Sequence, residues 1–343
     1  MKRYLPIVIG ILLFALIIRL WKISLHDTVE MLRHSDWRLL LLALLTYVVM
    51  VYLKAVRWSF LIRMQGASYS IWNCFLIYMA TLYLGNLTPG RAGDFAKVFY
   101  LNKDLKFTTG KSMASVLVDR VFDLYLLLFL GGVGIMMNPM PLDPTTQKMV
   151  LAVKWFFALL LVITLLAFNK KIGGGFLKAA FQRVMKQEHR EKTDRLFEDF
   201  HEGMEAFYRP SILVPVILSL VSYVIFFWGS YLIALAIPIQ IDIFYLSFCI
   251  SVVNIVSLVT FLGMGTRETA LGVLFGLVSL SKDQAFVYSL LLLFIGVILF
   301  SLLGLFCFSL KPMPLGSLVA QTKPVPGTAL RTKAKASRRK KSK

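Results

Sequence analysis

Cysteine, histidine and charge are all scarce in this sequence, and each scarcity excludes something. The three cysteines, Cys74, Cys249 and Cys307, lie inside apolar runs, which leaves no disulfide framework and no thiol metal site. His26, His34, His189 and His201 sit in polar segments without H-x-x-x-H or C-x-x-C partners, so neither zinc nor any other metal is expected. No G-x-x-x-x-G-K-[ST] occurs, and the glycines at 173–175 form a lone run in a polar loop, so no nucleotide or other cofactor is expected. Only 16% of the 343 residues are charged and 58% are hydrophobic. That balance is too apolar for a soluble domain of this length and indicates a polytopic, all-α membrane protein.

What is present is a series of apolar runs near the ~20 residues needed to cross a bilayer. They are Leu39 to Val56, Met113 to Met137, Val150 to Phe168, Ile212 to Ile237 and Ala285 to Leu310, with Leu5 to Leu20 before them. Lys2 and Arg3 precede the first run and no A-x-A-like cleavage site follows it, so it is expected to stay as a signal-anchor helix. The net charge is +20, but residues 311–343 hold ten of the 38 Lys and Arg and no acid. This stretch, ending RRKKSK, is expected to be a disordered cytoplasmic tail that touches anionic headgroups and does not bind nucleic acid.

Two further apolar segments are interrupted. Ile71 to Leu87 is broken at Thr88-Pro89-Gly90, and only about a dozen residues remain before the basic cluster of Lys103, Lys106 and Lys111, ~18 Å of helix against a ~30 Å core. Ile243 to Leu262 is broken by GMGT, with Gly263, Gly265 and Thr266, and the continuation to Leu280 is equally short. Basic residues place the N-terminus, the ends near Lys54, Arg57 and Arg63, the 169–210 insertion and the tail in the cytoplasm. The insertion is expected to form amphipathic helices on the inner surface, from the spacing of Phe176, Leu177, Ala180, Phe181, Val184 and Met185. The fold expectation is six spanning helices plus two oppositely oriented re-entrant or short-span hairpins in an inverted repeat over residues 1–310, within the plasma membrane.

The breaks carry charge. LGNLTPGRAGDFAK holds Arg91, Asp94 and Lys97 beside Gly90 and Gly93, and LGMGTRETA holds Arg267 and Glu268. An arginine and a carboxylate at membrane depth cost several kcal/mol unless they pair or line a wet cavity, so both stretches are candidate sites. The glycines let backbone approach a ligand, Thr266 can cap the helix that follows, and Arg91 and Arg267 offer planar donor forks for a phosphodiester. Asp94 and Glu268 would hold those forks without ligand. VLVDRVFDLYLL adds Asp119, Arg120 and Asp123, which lie ~12 to 18 Å inside the core from Lys111; Asp119 and Asp123 share a face and Arg120 can pair with Asp123. This cluster can equally be a self-neutralising lock between helices. Asn86 and Asn254 are expected to join helices rather than hold ligand.

Taken together, TPGRAGDFAKVFYL, SVLVDRVFDL and GTRETAL resemble the transmembrane-region family of lysylphosphatidylglycerol synthase and flippase, over about Leu5 to Leu310. The resemblance implies movement of lipids or lipid-linked groups between leaflets, and weight on Arg91, Asp94, Asp119, Arg120, Asp123, Arg267 and Glu268. Resistance factors in that family carry a soluble aminoacyl-transfer domain after the membrane part. Here a short basic tail stands in that place, so a separate lipid-modifying enzyme is an expected partner and catalysis is not expected. The reading is a flippase for an anionic phospholipid or a lipid-linked phosphate, of the aminoacyl-phosphatidylglycerol or polyprenyl-phosphate type. Two alternatives stay open: a membrane-embedded transferase with Asp94, Asp119, Asp123 or Glu268 as general base, and an assembly subunit whose charges only lock packing.

Overall fold

The apolar runs become helices wherever the chain is described. A computed structural model describes residues 25–137, 190–258, 260 and 263–312, with isolated helical positions between 144 and 162. The expected first span, most of Val150 to Phe168, the Phe176 to Met185 spacing and the tail beyond 312 lie outside these residues. The described part is helical: α1 Leu25–Arg33, α2 Trp37–Met64, α3 Ile71–Asn86, a 3-10 segment Pro89–Ala96, α4 Lys97–Asp104, α5 Thr109–Met137, α6 Arg190–Glu205, α7 Leu213–Leu235, α8 Ile243–Val256, α9 Thr266–Gly276 and α10 Lys282–Leu310. Among the described residues, three stretches are long and apolar enough to cross a membrane: α2, α7 with its preceding turn (Pro210–Leu235), and α10.

Local chemistry sets the boundaries. Asp36 caps α2 by accepting the Arg38 N–H (2.8 Å), Asp242 caps α8 by accepting from Phe244 and Tyr245, and Ser281 with Gln284 forms a capping box on α10. Small residues let helices touch without a hydrophobic drive between them. A Cβ on Gly229 of α7 would come within 2.2 Å of Thr46 Oγ1 on α2, and one on Gly304 of α10 within 2.5 Å of the Met79 carbonyl on α3. Tyr47 ties this interface to α7 by its hydrogen bond with Ser230 (2.9 Å), against the rings of Phe226 and Phe300.

Contacts at the helix ends show how the chain travels. At one end, Gln65 Nε2 donates to the carbonyls of Lys111 (3.1 Å) and Gly203 (3.2 Å), joining the end of α2, the start of α5 and α6. Tyr69 donates to Asp104, and Lys311 Nζ donates to Tyr69 Oη (2.6 Å) and Asn73 (3.1 Å) and pairs with Asp104 (2.8 Å). The start of α3, the end of α4 and the end of α10 therefore meet there. At the opposite end, the Asp36 N–H donates to Ala236 (2.8 Å), Gln284 Nε2 donates to Pro238 (2.9 Å), and Tyr245 Oη near the start of α8 donates to Leu274 near the end of α9 (2.8 Å). The interrupted pair α3–α4 starts and finishes at the first end. The pair α8–α9 starts and finishes at the second.

Two expectations change. Helix α2 continues past Val56 to Met64, so Lys54 and Arg57 are inside the helix and not at its end. Within the expected 169–210 insertion, helix α6 packs against the start of α5: a Cβ on Gly110 of α5 would lie 2.4 Å from the Leu196 carbonyl, and Met204 of α6 and Phe207 in the turn after it are buried. Lys311, placed at the head of a disordered tail, is fixed by a carboxylate, a phenol and an amide, while Tyr100 Oη donates to its carbonyl (2.8 Å).

Candidate functional site

The two breaks meet. The Gly90 N–H donates to the Leu258 carbonyl (3.0 Å), which joins the tip of the α3–α4 pair directly to the tip of the α8–α9 pair. Between them lies a cavity of about 450 Å³, reached by Arg91, Asp94, Arg120, Asp123 and Lys54 from one side and by Ser257, Gly263 and Arg267 from the other. Its remaining wall is largely apolar and aromatic, including Tyr47, Phe226, Val253 and Phe300. Helix α10 passes this wall through a wide π-helical turn, Phe294–Leu299, whose Gly296 and Val297 also face the cavity.

The first tip is built by Thr88, whose hydroxyl donates to Leu84 (3.0 Å) and accepts from the Gly93 N–H (2.7 Å), closing the turn that Pro89 starts. Gly93 then presses against α3: a Cβ there would sit 2.2 Å from the Leu84 carbonyl carbon. Its smallness therefore serves packing within the pair. Gly90 (φ 63°) and Arg91 (φ 54°, ψ 34°) both adopt left-handed backbone. For arginine this costs about 1–3 kcal/mol, strain of the kind found where geometry serves a ligand.

Behind Arg91 lies a network of buried charge. Arg57 Nη2 binds Asp119 (2.5 Å) and Asp123 (2.9 Å), and its Nη1 donates to Ser219 (2.9 Å). Lys97 Nζ binds the other Asp119 oxygen (2.9 Å) and stands 3.4 Å from the centroid of the Tyr78 ring, a cation–π contact. Arg120 binds Asp94 (2.8 Å) and the Tyr78 hydroxyl (3.0 Å), with Asp119 (3.4 Å) and Asp123 (3.5 Å) further off. Lys54 completes the set against Asp123 (3.2 Å) and Tyr223 (3.2 Å). Asp94 belongs mainly to Arg120, since Arg91 Nε is 3.5 Å away and its side chain is 39% exposed. This corrects the expectation that Asp94 clamps the Arg91 fork.

At the second tip the arrangement is self-contained. Arg267 Nη2 binds Glu268 (3.1 Å), and Arg267 Nε and the Glu268 carboxylate share the Ser289 hydroxyl at 3.0 and 2.8 Å. Glu268 also accepts the Gly265 N–H (2.6 Å) at the start of α9, so the anion at that positive helix end is the protein's own. Thr266 is not the cap: its hydroxyl bonds Thr260 (2.8 Å) and the Gly263 carbonyl (3.3 Å). Gly263 (φ 71°) and Gly265 (φ 86°) supply the positive φ that the break requires.

Every substrate-binding candidate read from sequence falls at this meeting point, and all of them except Asp119 and Glu268 line the cavity itself. Sequence reading did not find Lys54, Arg57, Tyr78 and Tyr223. In the sequence Lys54 and Arg57 read, with Arg63, as marks of a cytoplasmic helix end; the signal that separates the two cases is the apolar helix continuing to Met64 beyond them. Asn86 does join helices, donating to Ser301 of α10 (3.0 Å). Asn254 bonds its own helix at Ile250 (2.8 Å) and lines the cavity.

The family model described as the lysylphosphatidylglycerol synthase TM region matches residues 4–304. The chain is 24% identical over 305 residues to the UPF0104 membrane protein MJ1595 of Methanocaldococcus jannaschii, covering 82% of this chain and 87% of that protein. It is 25% identical over 246 residues to the UPF0104 membrane protein PH1989 of Pyrococcus horikoshii, covering 67% and 71%. No solved structure matches.

Proposed function

The chain belongs to the lysylphosphatidylglycerol synthase TM-region family, and from that premise we propose that it is a translocase passing an anionic lipid headgroup between leaflets. The observation that carries this reading is the single cavity shared by two tips that arrive from opposite ends. In this reading α3–α4 and α8–α9 are re-entrant hairpins of an inverted repeat, surrounded by six spanning helices, with both termini in the cytoplasm. The lengths support it: α3, α4, α8 and α9 have 16, 8, 14 and 11 residues. At 1.5 Å per residue the longest reaches about 24 Å, short of a ~30 Å core. Interrupted backbone at that depth is tolerated where it lines a cavity, and paired interrupted helices are how alternating-access carriers build their sites. The headgroup sits among Lys54, Arg91, Arg120 and Arg267 while its acyl or prenyl tails remain in lipid. The basic tail holds anionic headgroups at the inner surface, and a separate lipid-modifying enzyme supplies the cargo.

The carboxylates favour transport over catalysis. Asp119 faces Arg57 and Lys97, Asp94 faces Arg120, and both Glu268 oxygens are occupied. Carboxylates held by cations of their own network are poorly placed to turn and take a proton from a substrate. Leaflet exchange of a labelled anionic phospholipid in vesicles tests the proposal. Exchange that needs the intact protein supports it, and chemical conversion of the lipid in place of exchange would move the reading to a transferase.

A further inference from the structure

The charges around the cavity do not balance. Among the described residues, the connected network at the first tip holds five cations, Lys54, Arg57, Arg91, Lys97 and Arg120, against three acids, Asp94, Asp119 and Asp123. Arg267 and Glu268 cancel. A formal excess of two positive charges therefore stands at one edge of a largely apolar cavity. Three donors there have no hydrogen-bond partner: Arg91 Nε, Arg120 Nε and Ser257 Oγ, from the 3-10 segment, α5 and the turn after α8. Buried donors of this kind are uncommon and invite an acceptor.

We propose that the cavity selects a lipid headgroup bearing two negative charges, a phosphomonoester, over singly charged phosphodiesters and over headgroups that carry a cation. The lipid as carrier rests on the translocase reading; the charge selection rests on the network alone. A phosphomonoester neutralises the excess and presents three terminal oxygens to donors from both tips. A phosphodiester leaves one positive charge uncompensated. An ammonium-bearing headgroup finds Asp94 held by Arg120 and Asp123 held by Lys54 and Arg57, so no free acid receives it.

The test is competitive binding to the purified full-length protein in detergent at pH 7, above the second phosphomonoester pKa of ~6. The probes are dioleoyl phosphatidic acid, dioleoyl phosphatidylglycerol and lysyl-phosphatidylglycerol, with inorganic phosphate as a soluble arm. Phosphatidic acid is expected to bind at least about tenfold more tightly than phosphatidylglycerol, with the lysyl lipid weakest. Arg91→Gln, a change at a half-exposed side chain, is expected to bring the ratio towards one, and Lys54→Gln, at a second cation of the same network, to do the same. A ratio near one in the intact protein, or unchanged in both folded variants, overturns the inference. Inorganic phosphate binding as tightly as phosphatidic acid overturns the lipid as carrier. Leaflet exchange on the same preparation separates the two readings. Exchange without charge preference leaves the translocase standing and removes this inference, whereas preference without exchange does the reverse.

Discussion

The two tips share a sequence signature, helix breakers beside an arginine and an acid, yet they use it in opposite ways. At the second tip the charges satisfy each other: Arg267, Glu268 and Ser289 form a closed triangle and the helix end is capped from within. At the first tip they do not. Its arginine is half-exposed in strained backbone, and its acid is held by Arg120 from another helix. The pattern of breaker plus charge marks the place where the two interrupted pairs meet. Whether such a tip is a lock or a binding arm depends on partners that arrive from elsewhere in the chain.

The largest effect should come from breaking the network that supports the first tip. Arg57→Ala leaves Asp119 facing only Lys97 and Arg120, and the loss of one partner from a buried pair costs about 3–5 kcal/mol. Thermal unfolding in detergent should show a large drop or no recoverable folded protein. Arg91→Gln should separate function from stability: leaflet exchange is lost, while the unfolding free energy stays within about 0.5 kcal/mol of the parent, as for an exposed substitution. Arg267→Gln should do the reverse, lowering stability by about 1–3 kcal/mol because Glu268 keeps only a hydroxyl and an N–H, and reducing exchange less than Arg91→Gln does. If Arg267→Gln abolishes exchange at full stability and Arg91→Gln does not, the roles of the two tips are exchanged.

Glycine tests sharpen the contrast at the first tip. Gly93→Ala drives a methyl into the Leu84 backbone and should cost about 1–3 kcal/mol. A Cβ on Gly90 meets open space, so Gly90→Ala costs only the left-handed strain, about 1 kcal/mol. The smallest effect belongs to the clasp at the base of the first pair. Burial of Asp104 works against its ionisation, but hydrogen bonds from Lys311 and Tyr69 and the charges of Lys311 and Lys103 outweigh it and hold the carboxyl below its usual value. A lowered folded value means stability that is complete above the unfolded pKa near 4 and lost as pH falls through the folded one. Asp104→Asn should remove no more than about 1 kcal/mol at pH 7 and flatten the acid limb of the stability profile.

Much of this was legible because an apolar run makes charge conspicuous. Asp119, Arg120 and Asp123 interrupt an apolar run, and Thr88-Pro89-Gly90 and Gly263-Met264-Gly265 break two others, so local sequence alone marks them. The pairing was not legible. Arg57 meets Asp119 from 62 positions away and Lys311 meets Tyr69 from 242, and no periodicity encodes such contacts. Lys54 and Arg57 also resemble an interfacial basic pair until their helix is followed to Met64. Thr266 was the expected cap because threonine commonly serves so, but Glu268 lies at the position from which a carboxylate reaches back to the N-cap N–H, and it reaches the Gly265 N–H.

The most direct measurement is leaflet exchange of a labelled phosphatidic acid in vesicles containing the intact protein, beside Arg91→Gln matched for melting temperature. The account predicts exchange with the intact protein and its loss in the folded variant. Undiminished exchange by Arg91→Gln, or none by the intact protein, would contradict it.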